Sequence, residues 1–495
     1  MKKIILISLV VFVYKCSYSQ IKVEYWNLKT KKSEGYYKND KKEGKFTYWY
    51  DSGAKYAEGE YKNDEMKGKW TYFYKDGKKW KEIYIDSLFT SFYNKGAKEK
   101  LGYLKNGKEN GLWQQWYENG QLLSKGEYKD SLKIGPWSYW YNNGNKKQQI
   151  NYDNGLSTAW YLNEQKSEEG NIVSRVKDGK WNTWYQNGKL KEEALFKNDK
   201  LEGMNYQWHE NGIKAFEGLY QNNLLQGYNY WWRDNGKLEM EGKSIDGLQD
   251  STWTFYHTNG KVSSKGNFIK GMQEGIWTYW YETGEKWKEG SFKENKKSGL
   301  WTTWYQSGKK DHEGPFENGL EQGKWTSWFE NGNIKDEGTF EKGKMNGLWK
   351  GYYEEGKTKY ATSYSNDIKN GISQYWYPNG NQCYVSNYNN GDLNGIWSSY
   401  YENGNIKEAG SYLANKKNGN WSFYDAYAVK YQDAQFKNGV LNGYWAQYNT
   451  NQTKACDGLY KNGGKDGKWI IRDSYGKVLK VIDYKNGIKV IEEKK

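Results

Sequence analysis

The stretch GIWTYWYETGEKWKEGSFKENKKS, Gly275 to Ser298, decides the fold because close copies of it fill the chain. Its first residue is the anchor of a repeat that recurs every 24 residues, except at two shorter steps of 19 and 20 residues. A period of roughly 20–50 residues is typical of arrays in which each unit packs on its neighbours. We therefore predict one continuous array over residues 20–495, with no inserted domain. The anchors are Gln20, Gly44, Gly68, Ser87, Gly111, Gly135, Gly155, Gly179, Gly203, Gly227, Ser251, Gly275, Gly299, Gly323, Gly347, Gly371, Gly395, Gly419, Gly443 and Gly467.

Each repeat has the pattern of a β-hairpin. The run IWTYWY, residues 276–281, is rich in strand-favouring aromatic residues and predicts a first strand. The segment ETGE predicts a turn in which Gly284 takes a positive φ, and residues 286–292 predict the second strand. KENKKSG then leads into the next repeat. The fold class is all-β: an elongated array of about twenty 24-residue β-hairpin repeats that form one long twisted antiparallel meander sheet.

Two aromatic columns run through the array. Counting the anchor as position 0, 24 of the 28 tryptophans stand at position +2 or +5. These positions differ by an odd number, so either both faces of the sheet carry aromatic residues or a bulge turns one column. Tyrosine dominates position +6, which shares the face of +2, and glycine dominates +15, where an indole from the neighbouring strand is expected to approach closely. The residues chosen to represent the structural columns are Trp277, Trp280, Tyr281, Trp301, Trp304, Tyr305, Trp325 and Trp328.

Composition favours a folded chain with no nucleic-acid partner. The mean hydropathy of −1.13 is typical of disorder, but aromatic residues make up 18% of the chain and there are only 3 prolines. Each tryptophan or tyrosine buries about 150–250 Å², which can stabilise a thin structure. The formal charge of +15 is spread over all repeats, so it favours solubility and mild attraction to anionic surfaces.

The N-terminus predicts export. Residues 1–19 have the pattern of a signal peptide: two early lysines, an apolar core over 4–14 and a small-x-small cleavage site at 17–19. The core is too short for a membrane span, so no transmembrane segment is expected after cleavage. We predict a periplasmic, outer-membrane-associated or secreted protein, with lipid attachment at Cys16 or retention of the segment as alternatives. At the other end, the aliphatic run VLKVIDYKNGIKVIEE, residues 478–493, predicts a cap over about 475–495 that covers the last edge strand.

No residue cluster predicts catalysis, a metal site or a cofactor. His209 and His257 replace the +6 tyrosine two repeats apart, and His312 stands elsewhere, so they cannot share a zinc ion. Cys383 and Cys456 lie three repeats apart, about 29 Å at the strand spacing, so they are not expected to pair within the chain. The chain is therefore predicted not to be an enzyme.

An acidic column occupies position +14. Either it meets a cationic partner, or each glutamate pairs with lysine on the adjacent strand, which is worth about 0.2–1 kcal/mol per pair. The column comprises Glu34, Glu58, Glu82, Glu193, Glu217, Glu241, Glu289, Glu313 and Glu337.

The repeats resemble a known family. GKWTYFYKDGKK at 68–79, GLWTTWYQSGKK at 299–310 and GKWTSWFENGNIKDEGTF at 323–340 are similar to the MORN-repeat variant family, whose bacterial members are often labelled antitoxin-like. The resemblance covers essentially all of residues 20–495. It implies hairpin repeats joined into a long sheet, with protein- or membrane-associated roles.

Three functions follow as hypotheses. The first is an exported non-enzymatic scaffold that binds a protein or an envelope surface. The alternatives are a carbohydrate- or cell-wall-binding protein, which makes a glycan the partner, and a toxin-neutralising or immunity-like partner. Rows of exposed tryptophan would favour glycan binding, whereas buried tryptophan would favour the scaffold.

Overall fold

The structure, a computed structural model, describes residues 19–494. These residues form β-strands and turns without a helix, and none of them belongs to a helix that could cross a membrane. The chain divides into two compact units, described here over residues 19–236 and 237–494. The predicted signal peptide, apart from Ser19, and Cys16 lie outside the described residues.

The first unit is an antiparallel meander in which each strand pairs with the next one along the chain. The meander continues through both shortened repeats, where strands β6, β7, β12 and β13 are shorter than their equivalents. Its strands are β1 (Ser19–Tyr25), β2 (Lys31–Lys38), β3 (Lys41–Trp49), β4 (Lys55–Lys62), β5 (Glu65–Phe73), β6 (Lys79–Tyr84), β7 (Leu88–Phe92), β8 (Lys98–Lys105), β9 (Lys108–Trp116), β10 (Leu122–Lys129), β11 (Leu132–Trp140), β12 (Lys146–Asn151), β13 (Asn154–Trp160), β14 (Lys166–Val173), β15 (Val176–Trp184), β16 (Leu190–Lys197), β17 (Lys200–Trp208), β18 (Lys214–Gln221) and β19 (Leu224–Trp232).

The second unit has the same antiparallel meander topology. One strand is split at Gln322 into β27 and β28, which both pair with β26. Its strands are β20 (Leu238–Ile245), β21 (Leu248–Tyr256), β22 (Val262–Ile269), β23 (Met272–Trp280), β24 (Lys286–Lys293), β25 (Lys296–Trp304), β26 (Lys310–Glu317), β27 (Leu320–Glu321), β28 (Gly323–Trp328), β29 (Ile334–Glu341), β30 (Lys344–Tyr352), β31 (Thr358–Ser365), β32 (Ile368–Trp376), β33 (Gln382–Asn389), β34 (Asp392–Tyr400), β35 (Ile406–Leu413), β36 (Lys416–Tyr424), β37 (Lys430–Lys437), β38 (Val440–Tyr448), β39 (Lys454–Lys461), β40 (Gly464–Arg472), β41 (Val478–Lys485) and β42 (Ile488–Lys494).

The predicted hairpin repeat is confirmed, with different bounds for the first strand. That strand begins at Met272 rather than at residue 276, whereas the second strand agrees with the prediction to one residue. Gly284 takes the expected positive φ of 107° in the first turn. The second connection is a two-residue turn, Glu294 and Asn295, with φ of 50° and 64°. Two central residues with positive φ are typical of the tight type I′ hairpin turn.

A bulge at the anchor glycine fixes the aromatic core. Ser291 pairs with Ser298 but Glu289 pairs with Thr302, so the segment 299–301 lies opposite Gly290 alone. The Trp301 indole lies flat against Gly290, where an added Cβ would be 2.2 Å from the ring, and its Nε1–H donates to the Ser291 carbonyl at 3.0 Å. The expected close approach of indole to the +15 glycine is therefore confirmed, with the indole supplied by the following repeat.

Repeats without the +15 glycine show what this contact requires. Opposite Ser386, Trp397 is only half-buried, and its indole N–H donates to the Glu408 carboxylate instead of a main-chain carbonyl. Where threonine takes the glycine position, at Thr362, the indole is replaced by Ser373, and the two hydroxyls lie 2.8 Å apart. The residue at position +15 of one repeat and the residue at position +2 of the next therefore act as a matched pair across the boundary between repeats.

Candidate binding faces

One face of each unit, here called the spine face, carries the position +2 tryptophans in a row of rings. Tyr279, at position +4, lies between Trp277 and Trp301, at centroid distances of 6.0 and 6.4 Å. Phe292, at position +17, contacts both indoles edge-on. Trp277 and Trp301 are buried although the sheet is a single layer, because the neighbouring rings and lysine stems cover them.

The opposite face, here called the ladder face, carries paired charges and the +5 tryptophans. Glu289 accepts hydrogen bonds from the Lys286 ammonium at 2.9 Å and from the Thr278 hydroxyl at 2.8 Å. The Lys286 ammonium also lies over the Trp304 ring, 5.3 Å from its centroid. Both faces of the sheet therefore carry aromatic residues, which decides between the two alternatives left open by the sequence.

The acidic column at +14 is largely neutralised by the chain itself. Burial opposes ionisation of Glu289, but the bonds from Lys286 and Thr278 outweigh it, so the pKa of Glu289 lies below its usual range. For Glu337, hydrogen bonds from Tyr352 and Lys324 lower the pKa. The pairing predicted for this column is present, but in many repeats the lysine lies three residues earlier on the same strand rather than on the adjacent one. Such same-strand pairs are Lys31–Glu34, Lys55–Glu58, Lys79–Glu82, Lys214–Glu217, Lys286–Glu289 and Lys310–Glu313.

The +6 side chains tie each repeat to the next. The Tyr281 hydroxyl donates to the main-chain carbonyl of Trp304 at 2.8 Å, and Trp287 packs against Tyr281 and Tyr279 on the spine face. The Nε2 atoms of His209 and His257 lie 2.7 and 2.9 Å from the equivalent carbonyls, which confirms that they substitute for tyrosine. Equivalent tyrosine bonds are made by Tyr50, Tyr74, Tyr93, Tyr117, Tyr141, Tyr161, Tyr185, Tyr305, Tyr353, Tyr377 and Tyr401.

An exposed aliphatic stripe follows position +1 on the ladder face of the second unit. Ile276, Leu300 and Ile396 are 65%, 57% and 62% exposed, although they stand in the middle of strands. Their cross-strand partners are small or rigid: Ile276 pairs with Ser291 and Leu300 with Pro315. The stripe consists of Ile276, Leu300, Leu348, Ile372 and Ile396, with Lys324 in the place of one member.

The spine face of the second unit holds a depression of about 350 Å³, here called the Thr303 depression. It lies between Trp301 and Trp325, where position +4 carries Thr303 instead of an aromatic residue. Its other lining residues include Trp287, Lys288, Lys297, Asp311, His312 and Glu321.

An equivalent depression of about 120 Å³ lies on the spine face of the first unit. This Gln115 depression is placed between Trp113 and Trp137, again where position +4 has no ring. Lys100 and Lys133 contribute to its lining.

A hydrogen-bonded run of three side chains lies beside the Thr303 depression. The Asp311 carboxylate accepts from His312 Nδ1–H at 3.1 Å, which leaves Nε2 to accept from the Thr303 hydroxyl at 3.1 Å. The imidazole packs on the Trp325 ring at 6.1 Å. This arrangement fixes the tautomer of His312 and presents polar groups to the depression.

The representative aromatic residues divide between the two faces and the turn. Trp277 and Trp301 are buried in the spine, Trp325 is half-buried beside the Thr303 depression, and Trp280, Trp304 and Trp328 are half-buried at +5. Tyr281 and Tyr305 lie at the turn between strands. Sequence reasoning missed the depressions, the signal for which is the absence of a ring at Gln115 and Thr303. The free thiols Cys383 and Cys456 are half-buried, and burial raises the pKa of Cys456.

Comparison with protein-family models places nine matches along the chain. The matching model is described as the MORN repeat variant, and each match has the length of one hairpin repeat. The matched residues are 42–63, 109–130, 133–154, 177–198, 249–270, 273–294, 321–342, 345–366 and 393–414. No curated protein gives a significant match to this chain.

Solved structures of toxin complexes show a distant similarity. A TcdB2-TccC3-Cdc42 crystal structure is 9% identical, with 94% of this chain and 30% of that chain covered and a TM-score of 0.13. The Tc holotoxin pore of Photorhabdus luminescens is also 9% identical, with coverages of 89% and 27% and a TM-score of 0.12. This chain thus spans less than a third of the length of either, and scores this low carry no argument about function.

Proposed function

Because the chain belongs to the MORN repeat variant family, we propose that it is a non-enzymatic scaffold whose ladder face docks a protein partner. The observation that carries this proposal is the exposed aliphatic stripe of the second unit, Ile276 to Ile396. Exposed aliphatic residues in one row are typical of an interaction surface rather than of scattered surface residues. Burial of position +2 tryptophans such as Trp277 and Trp301 also favours a scaffold over a protein that binds glycans through a row of exposed tryptophans.

The charge pattern of the ladder face favours an apolar protein surface as the partner. Glu289 and Glu313 are each paired with a lysine, and Lys324, which stands in the stripe, is paired with Glu337, so these charges beside the stripe are compensated. Nucleic acids and anionic membranes are bound through uncompensated lysine and arginine. A flat protein surface with its own aliphatic row would instead bury Ile276, Leu300 and Ile396 against it.

The proposed location is the cell envelope or the exterior. It rests on the signal-peptide pattern of residues 1–19, and a partner from the envelope follows from it. Mass spectrometry of the N-terminus of the protein recovered from cells would test this: a mature N-terminus at Gln20 is expected, and an intact Met1 would contradict export.

The docking proposal is tested by replacing members of the stripe. Ile276→Ser, Leu300→Ser and Ile396→Ser together should weaken binding of a partner captured from envelope extract by at least about tenfold, with single changes giving graded losses. The partner should also cross-link to a photoreactive residue at position 300.

A control comes from three other exposed apolar residues of the same unit, which stand near the ends of their strands. Leu248, Met272 and Leu320 are exposed at position −3, away from the stripe. Their replacement by serine should leave the affinity unchanged. Equal loss in both triple variants, or none in the stripe variant, would contradict docking on the stripe.

A further inference from the structure

The row of rings on the spine face is interrupted at Thr303. One repeat earlier, Tyr279 bridges Trp277 and Trp301, and in the first unit Tyr48 bridges Phe46 and Trp70 at 6.2 and 6.1 Å. Between Trp301 and Trp325 the bridging position holds only a threonine. The Thr303 depression is therefore the space that a ring occupies elsewhere in the row.

Elsewhere the fold fills such a gap with a ring from the paired strand. At Gly351, which also stands at position +4, the Tyr360 ring occupies the space, and a Cβ on Gly351 would be 2.0 Å from it. Tyr360 in turn packs against Tyr375 at 5.5 Å. At Thr303 the paired residue is His312, whose smaller imidazole leaves the depression of about 350 Å³ open. The space is thus shaped for a ring and only partly filled.

The Gln115 depression repeats this arrangement in the first unit. Gln115 pairs with Ser124, so neither strand supplies a ring between Trp113 and Trp137. Both depressions also carry a lysine at the same position of the preceding repeat, Lys100 in the first unit and Lys288 in the second. The two depressions differ in size, but both combine indole rings with a lysine of the preceding repeat and a carboxylate, a lining suited to a ring that carries polar groups.

The rim of the Thr303 depression combines hydrogen-bond donors and acceptors. Lys288 and Lys297 lie over the Trp287 and Trp301 rings, at 4.1 and 4.7 Å from their centroids. Burial, and then the charge of Lys297, lowers the pKa of Lys288.

Carboxylates complete both rims. Asp311 and Glu321 lie at the Thr303 depression, and Glu109 lies beside Lys133 at the Gln115 depression. A ligand that fits has an apolar ring surface for the indoles and hydroxyl groups for both ammonium and carboxylate.

We propose that each depression binds one pyranose unit of an oligosaccharide, with the sugar ring in the missing place of the aromatic row. Its apolar face would pack on Trp325 and on the 40% exposed Trp287, while its hydroxyls would accept from Lys288 and donate to Asp311. An apolar aromatic side chain of a partner protein would fill the same space but offer Lys288 and Asp311 no hydrogen bond of its own. The inference concerns the face opposite the aliphatic stripe, so it stands or fails independently of protein docking there.

The test fills the depressions with the ring that neighbouring repeats already contain. The full chain is titrated by calorimetry with chitotriose, maltotriose and trigalacturonate, and with a tyrosine-containing tripeptide. At least one trisaccharide should bind at two sites per chain. Thr303→Tyr and Gln115→Tyr should each remove one site, and the double variant should bind at least about tenfold more weakly.

Controls separate this inference from loss of folding and from the ladder face. Leu300→Ser alters only the stripe, so it should bind the trisaccharide as the unaltered chain does. Thr303→Tyr should unfold at no lower temperature than the unaltered chain, because its ring completes the row. Absence of trisaccharide binding by the folded chain, or undiminished binding by the double variant, would overturn the proposal. Binding of the peptide alone, lost in the double variant, would replace it with an aromatic-peptide site.

Discussion

Replacing Gly290 with alanine tests how one repeat is locked to the next. The new Cβ would lie 2.2 Å from Cδ2 of Trp301, closer than non-bonded atoms approach, so the indole must leave its place. Its displacement would break the 3.0 Å bond from the indole N–H to the Ser291 carbonyl. Gly299→Ala is the matched control, because that glycine has a φ of 67° but open space around it.

The two alanine variants differ in expected cost. Gly299→Ala should cost about 1–2 kcal/mol, the price of a left-handed backbone conformation for a residue with a Cβ. Gly290→Ala should cost about 2–4 kcal/mol, from overpacking and the lost hydrogen bond. The double variant Gly290→Thr/Trp301→Ser copies the natural Thr362–Ser373 pair. Its loss of unfolding free energy should be smaller than the summed losses of the two single variants, because the two positions are coupled.

Hydrogen exchange measured by mass spectrometry suits this test, since an array opens locally rather than all at once. Gly290→Ala should accelerate exchange over residues 286–304 and leave residues 249–256 close to normal. If Gly290→Ala costs no more than Gly299→Ala, or if exchange over 286–304 is unchanged, the matched-pair explanation is wrong.

Three further changes test the other contacts. Tyr281→Phe removes the bond to the Trp304 carbonyl and should cost about 0.5–1.5 kcal/mol, detected as faster exchange at that turn. Burial and the bond to Glu241 raise the pKa of Tyr256 from 10.0 to about 12. The contribution of Tyr256 to stability is therefore complete below pH 10 and is lost as the pH rises from 10 to about 12. Tyr256→Phe should reduce the fall in unfolding free energy between pH 10 and about 12, as measured by unfolding at each pH. Lys286→Met removes an exposed ion pair and should cost less than about 1 kcal/mol, with a smaller effect at high salt.

The local structure was predictable because it depends on short stretches of sequence. The period, the hairpin and the glycine at 284 follow from residues that are close neighbours in the chain. The start of the first strand was not, because residues 272–274 are mostly polar and are held in the strand by main-chain pairing. A turn within KENKKSG was predicted, but its two-residue form at Glu294 and Asn295 was not, since neither residue is the glycine that usually marks such a turn.

The candidate sites were less predictable because they arise from missing side chains. The aliphatic stripe exists because the side chains at position +1 face the ladder side of the sheet. The bulge at the anchor glycine sets this orientation. The Thr303 depression depends on three repeats at once: Lys288 comes from the first, Trp301 and His312 from the second, and Trp325 from the third. A column-by-column reading of position +4 marks Thr303 only as one of many repeats without a ring there, and it does not give the size of the space left beside His312.

The matched pair across each repeat boundary sets a rule for how such a chain can change its length during evolution. Loss of residues 299–322 would bring Gly290 against Trp325, a glycine–tryptophan junction like the one removed. Loss of residues 371–394 would instead bring Thr362, whose hydroxyl now lies 2.8 Å from that of Ser373, against the Trp397 indole. The first deletion joins compatible surfaces and the second does not, although both remove one full period. Whole repeats are therefore interchangeable only where the residue before the cut suits the residue after it, as at the glycine–tryptophan junctions but not at the Thr362–Ser373 junction.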